Sequence, residues 1–337
     1  MKRFAALFAV AALAVVYGCN GAESTPKPEG TTGGEAKSES DFKVALLTPG
    51  PVSDAGWSAM AYDGLKGIES EVGAKVSNQE AKEAQITDAM RSYAQDGYNM
   101  VIGHGFEYNE PASLVSKDFP NTVFISSSGG KFTANSGAIR FYLEQGFYVA
   151  GYVAAKTSKT GKLAMIGGPQ VPSIESTFKA FEAGAKAAKA DVVVKKIYTG
   201  ENADVAKAKQ ATLTAIGEGA DVVIHQANAG AQGVFDACKE KNVLAIGSNL
   251  DQNSNESGVV FCSAVISAKP VFVELAKRIK AKTYKGEVSL FGMKEGAVDF
   301  IWNPAMKDKA PGAVQEEAAK LIEDIKADKL KVAKDEF

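Results

Sequence analysis

The sequence predicts an α/β protein built as two lobes, each a parallel sheet covered by helices on both faces. Three observations carry this reading. From Phe42 onward, short apolar runs alternate with amphipathic helical stretches. The runs are continuously apolar, as strands buried on both faces are. The order strand, helix, strand, helix, strand then occurs a second time, with a restart near Glu144.

The first pass runs in order. FKVALLTPG is an apolar strand closed by Pro-Gly, and AGWSAMAYDGLKGIESEVG is an amphipathic helix stopped by glycine. AKVSNQEA is a second strand, AQITDAMRSYAQDGY a helix and NMVIGHG a third strand. EPASLVSKDF is a helix, and TVFISSSGG is a fourth strand. The second pass opens with EQGFYVAGYVAAKTS, a helix rich in Ala and Gly. Strands GKLAMIGGPQ, DVVVKKIYTG, ADVVIHQAN and VLAIGSNLDQN follow, separated by helices IESTFKAFEAGAKAA, VAKAKQATLTAIGEG and AQGVFDACKEKN. After GVVFCSAVI comes the helix AKPVFVELAKRIKAKTY, then SLFGMKEGAVDFIWN as an expected strand pair, and a last helix from Ala313 to Ala327. The chain is expected to cross between lobes near Gly146 and near Ser263. That assigns residues 41–146 plus about 264–290 to an N-terminal lobe, and 147–263 plus about 291–337 to a C-terminal lobe.

The N-terminus reads differently. Met-Lys-Arg precedes an apolar run from Phe4 to Val16 and then Tyr17-Gly18-Cys19. A basic start, a short apolar core and a small residue before a cleavage point describe a secretory signal over residues 1–18. The run is too short to span a bilayer comfortably. Cysteine directly after the small residue resembles a bacterial lipobox, with Tyr17 as a departure, so Cys19 is the expected lipidated terminus. A lipid anchor of two or more chains would tether the protein to a membrane surface, outside the cytoplasm. Residues 20–40 hold no large apolar side chain. Such a segment cannot offset its ordering entropy and serves as a flexible tether.

The formal charge of the whole chain is −2. Nothing in that balance, and no basic run or Cys/His finger spacing, points to nucleic acid. Cys238 and Cys262 are expected as two buried free thiols, with a disulfide as the alternative. No G-x-S-x-G elbow, phosphate-binding loop, H-E-x-x-H or C-x-x-C occurs, so no enzyme class is indicated and neither cofactor nor metal is expected.

In open parallel sheets ligands collect outside the carboxyl ends of the strands. Each polar cluster lies at such an end. The first half offers Asp54 and Trp57, then His104, Gly105 and Phe106, then Ser126 to Ser128, with Ser127 taken as the contact. The second half offers Gly167-Gly168, Gln226 to Asn228, and Asn249 to Asp251. Aromatic rings there would stack on a flat ligand, and Asp, Asn and Gln would hydrogen-bond its edge. Asp54 reads equally as the cap of the following helix. Phe178 and Phe181 sit three apart, a core spacing, and Phe178 is the one retained as a candidate. Glu107 is expected to be solvated. The chain's two histidines, His104 and His225, end strands of opposite halves. His104 is the candidate for ligand contact and His225 a support of the wall beside Asn228.

KVALLTPGPVSDAGWSAMAYDGL, YNMVIGHGFEY, EQGFYVAGYVAA, STFKAFEAGAKAA and ADVVIHQANAGAQGVFDACKEKNVLAIG together resemble the basic membrane protein family of bacterial solute-binding lipoproteins. The similarity runs from Phe42 to about Lys326. It implies the type I periplasmic binding protein fold: two Rossmann-like lobes with parallel sheets, joined by a hinge and closing on a ligand. It also implies delivery of purines or nucleosides to an ABC permease by a monomeric, membrane-anchored protein. By resemblance Asp54 meets the base, Trp57 and Phe178 sandwich it, and Gly230 and Asp251 meet the sugar or base edge. His104-Gly105-Phe106 matches a histidine-containing form of the loop after the third strand. Two positions depart from the nucleoside-binding pattern. Ser126-Ser127-Ser128 stands where an acidic residue is usual, and Ile266 where a lysine is usual. That favours a free base such as adenine, or a different small polar ring, over a nucleoside. A sensor or surface-interaction lipoprotein of the same fold, and a nucleoside hydrolase, are the alternatives.

Overall fold

The computed structural model describes residues 42–54 and 56–336. The expected signal segment, Cys19 and the tether lie outside the described residues. In chain order the elements are β1 (Lys43–Thr48), α1 (Trp57–Val72), β2 (Lys75–Glu80), α2 (Gln85–Gln95), β3 (Met100–Gly103), α3 (Asn109–Val115), β4 (Val123–Ser127) and β5 (Ser136–Phe141). Next come α4 (Glu144–Thr157), β6 (Lys162–Gly167), α5 (Pro172–Ala188), β7 (Val193–Tyr198), α6 (Val205–Gly217), β8 (Val222–Gln226), α7 (Ala231–Lys241), β9 (Leu244–Asn249) and β10 (Val260–Ile266). The chain closes with α8 (Ala268–Lys280), β11 (Val288–Phe291), β12 (Val298–Trp302) and α9 (Gly312–Lys326).

Two six-stranded sheets result, in the orders β11-β5-β4-β3-β1-β2 and β12-β10-β9-β8-β6-β7. All pairings are parallel except β10 with β12. Side-chain alternation explains the layers. In β1, Val44 and Leu46 enter one core with α1 and α8, while Ala45 and Leu47 enter another with α2 and the buried Tyr108. In β8, Val222 and Ile224 face the first core and Val223 faces a third, against α6 and α7. The first core is continuous from one lobe to the other through Phe141, Leu143 and Phe147.

The Ala/Gly composition of α4 has a steric cause. A Cβ at Gly151 would collide with the carbonyl of Phe181, and one at Gly184 with the carbonyl of Tyr148. The backbones of α4 and α5 therefore approach closely, and only glycine permits it.

Three features differ from expectation. The segment Val288 to Trp302 is not a strand pair: β11 joins β5 in one sheet and β12 joins β10 in the other, so the chain changes lobe between them. A fifth strand, β5, precedes the second pass. The chain leaves the first sheet after Phe141 and returns to its helices after Ile266, a few residues from the expected Gly146 and Ser263. Cys238 and Cys262 are free and buried, and burial pushes their thiols up, Cys238 to about 12. Among the described residues no helix is long and apolar enough to cross a membrane.

Candidate functional site

The carboxyl ends of β1, β3, β4, β6, β8 and β9 open on a cavity of about 640 Å³ between the lobes. That size lies in the range of small-molecule sites. The first lobe lines it with Trp57, Gly105, Phe106, Glu107, Ser128 and Phe141, the second with Thr177, Asn202, Gln226, Asn228 and Asn249. Ile266, Arg140 and Glu144 line it at the crossings.

Backbone strain gathers here. Glu83, Ser128, Asn228 and Asn249 have φ of 47°, 97°, 44° and 69°, and all four line the cavity. Non-glycine residues adopt such angles at a cost, and they cluster where a ligand is clamped. Asn249 Nδ2 donates to Asn228 Oδ1 at 3.3 Å. Asn249 Oδ1 is buried with no partner among the described residues. An unpaired buried acceptor is costly, which adds to the strain gathered at this residue.

Trp57, Gly105, Phe106 and Asn228, all expected from sequence, come together on the cavity. The other candidates do not, and each is placed by a definite force. Asp54 is a cap: Oδ1 accepts from the amides of Gly56 and Ala59, and Oδ2 from Ser58, each at 2.9 Å. His104 is wholly buried behind Trp57, with ring centroids 3.9 Å apart. Its Nε2–H donates to the Trp57 carbonyl at 3.0 Å, and Nδ1 accepts from the Ser127 hydroxyl at 2.6 Å. His104 and Ser127 therefore support the aromatic wall and form none of its surface. Burial pulls His104 down to about 3 and keeps it neutral.

Phe178 is fully buried, stacked on Tyr198 at 5.5 Å and beside Phe147 at 6.4 Å. Its core spacing with Phe181 decided its place, and burial of such a ring contributes about 1.5–3 kcal/mol to stability. Gly230 is buried in a short 3₁₀ turn, its amide donating to Asn202 and Ala227 carbonyls at 3.0 and 2.8 Å. Asp251 is exposed and closes a turn by accepting from the Asn253 amide at 3.0 Å. His225 holds Gln252 at 2.8 Å through Nε2 and is pulled down to about 4 by burial. Among the described residues no group of three or more His, Cys, Asp or Glu is placed to hold a metal.

A model of the PnrA-like substrate-binding proteins of ABC transporters matches residues 42–333. The chain belongs to that family. It is 30% identical to a nucleoside-binding protein of an ABC transporter from Lactococcus lactis subsp. cremoris, over 94% of each chain. It is 28% identical to a purine-binding protein of Brucella abortus, over 86% of this chain and 83% of that one. A solved solute-binding protein of an ABC transporter system from Conexibacter woesei has the same fold, with a TM-score of 0.73 at 24% identity over 87% of this chain and 99% of the other. The family and these relatives are substrate-binding proteins rather than enzymes.

In this substrate-binding protein, Glu107, Arg140, Glu144, Thr177 and Asn249 line the cavity, although none was singled out from sequence as a contact. Arg140 and Glu144 form a buried ion pair that also engages Ser176. Glu107 is exposed, as expected, and its surface opens to the cavity; the protein packed around its carboxyl pushes that group up from the ordinary range. Asn249 ends β9 inside the polar cluster Asn249 to Asp251, so its place at a strand's carboxyl end is legible in the sequence.

Proposed function

We propose that this protein captures a purine base or nucleoside between its lobes and presents it, by hinge closure, to an ABC permease. The observation that carries the reading is the pairing of an aromatic wall with an amide wall across one cavity. Trp57 backs onto His104 and turns toward the cavity, with Phe106 and Phe141 beside it. Asn202, Gln226, Asn228 and Asn249 line it from the other lobe. A flat, neutral heterocycle with donors and acceptors on its edge satisfies both walls. Closure is favoured only by contacts that improve in the closed form, and a ligand touching both walls supplies them. Ser128 and Ile266 lining the cavity support a free base such as adenine over a nucleoside, since neither brings a charge to a sugar.

Lipidation at Cys19 would hold the protein at a membrane, outside the cytoplasm, within reach of its permease. The test is direct. The purified protein is denatured, the released small molecule is identified by mass spectrometry, and that compound is titrated by calorimetry. A purine with a stoichiometry near one is expected. Failure of adenine, guanine, hypoxanthine and their nucleosides all to bind would overturn the purine reading.

A further inference from the structure

The loop after β3 is built around a carboxylate. Gly105 has a φ of 157° and lies directly under the Glu107 carboxylate, where a Cβ would collide with Oε2. Glycine at 105 therefore lets the glutamate fold over the backbone at the edge of the cavity.

Neighbouring cations are committed elsewhere. Lys82 pairs with Glu80 at 2.6 Å, and Arg140 pairs with Glu144. No cation pairs with Glu107 among the described residues. The amides of the opposite wall offer donors and acceptors alike, whereas an ionised carboxylate only accepts. We propose that Glu107 is a specificity-determining residue of this site, accepting a hydrogen bond from an N–H donor on the bound ring and disfavouring phosphorylated ligands.

This inference rests on the purine reading. A charge-assisted hydrogen bond is among the stronger polar contacts, and its loss raises Kd by tenfold or more. The same carboxylate would repel the phosphate of a nucleoside monophosphate, so selectivity for base or nucleoside over monophosphate narrows without it.

The experiment titrates wild type, Glu107→Gln and Glu110→Gln with adenine, guanine, hypoxanthine, adenosine, guanosine and AMP by calorimetry. Glu110 pairs with Lys131 and does not line the cavity, so its variant controls for a general loss of charge. Melting curves confirm that each variant is folded, and Glu107→Asp is a second probe if Glu107→Gln melts early. A tenfold or greater loss confined to Glu107→Gln, with reduced discrimination against AMP, supports the proposal. Equal Kd values for Glu107→Gln and wild type overturn it and leave the purine reading standing. Failure of wild type to bind any of these compounds overturns both.

Discussion

Trp57 and His104 are joined in three ways. Their rings stack at 3.9 Å, His104 Nε2–H donates to the Trp57 carbonyl at 3.0 Å, and Trp57 Nε1–H donates to the His104 carbonyl at 3.1 Å. One residue opens α1 and the other follows β3, so the pair locks two cavity-lining segments together. The imidazole and its backbone hold the indole from behind.

Trp57→Ala removes the stacking surface and should weaken purine binding by about 1–3 kcal/mol. His104→Ala touches no cavity surface, yet it frees the indole and leaves the Ser127 hydroxyl unpaired. It should cost about 2–4 kcal/mol of stability and weaken binding as well. Urea denaturation and calorimetry separate the two effects. Unchanged affinity in His104→Ala would show that Trp57 needs no backing.

Both histidines predict acid sensitivity. Burial holds His104 near 3 and His225 near 4 in the folded protein, against about 6.5 when unfolded. Between those values the unfolded chain binds more protons, so stability is full above about pH 6.5 and falls as pH drops toward 4. At about 1.4 kcal/mol per pH unit, each histidine removes about 3 kcal/mol by pH 4. Urea midpoints at pH 7.5 and 4.5 should differ, and by less in His225→Asn. The same fall in variant and wild type would exclude this origin.

The fold was legible because its signals are periodic. Val44, Ala45, Leu46 and Leu47 are all apolar, which declares a strand with a core on each face. β5 escaped because Arg140 sits inside it, and buried strands rarely carry arginine. The site was less legible because a single residue of register moves a side chain to the other face. Ser127 turns inward to His104 while Ser128 lines the cavity. Asp54 had two sequence readings, and the three amides it accepts from at the start of α1 bear out the cap.

The Arg140–Glu144 pair joins the end of the first sheet to the start of α4, and both side chains are nearly inaccessible, at 6% and 2%. Removing one partner strands a buried charge. Arg140→Met should destabilise by about 3–5 kcal/mol, and the double variant Arg140→Met/Glu144→Leu should recover most of that. A double-mutant cycle in urea measures the coupling. Additive single effects would mean that the two charges act independently.

Gly56 marks the rim where the lobes meet. A Cβ there would lie 3.2 Å from both Cα and Oδ1 of Asn228, a residue of the opposite lobe. That is tighter than ordinary van der Waals contact, and neither the strained Asn228 backbone nor the start of α1 can yield cheaply. A branched side chain at 56 therefore acts as a wedge, opposing the state in which both walls reach the ligand. Gly56→Val should raise the Kd for a purine by tenfold or more, because part of the binding energy goes into displacing Asn228. It should also reduce the compaction seen by small-angle scattering when ligand is added. A retained fold with wild-type affinity would show that this contact forms no part of the closed state.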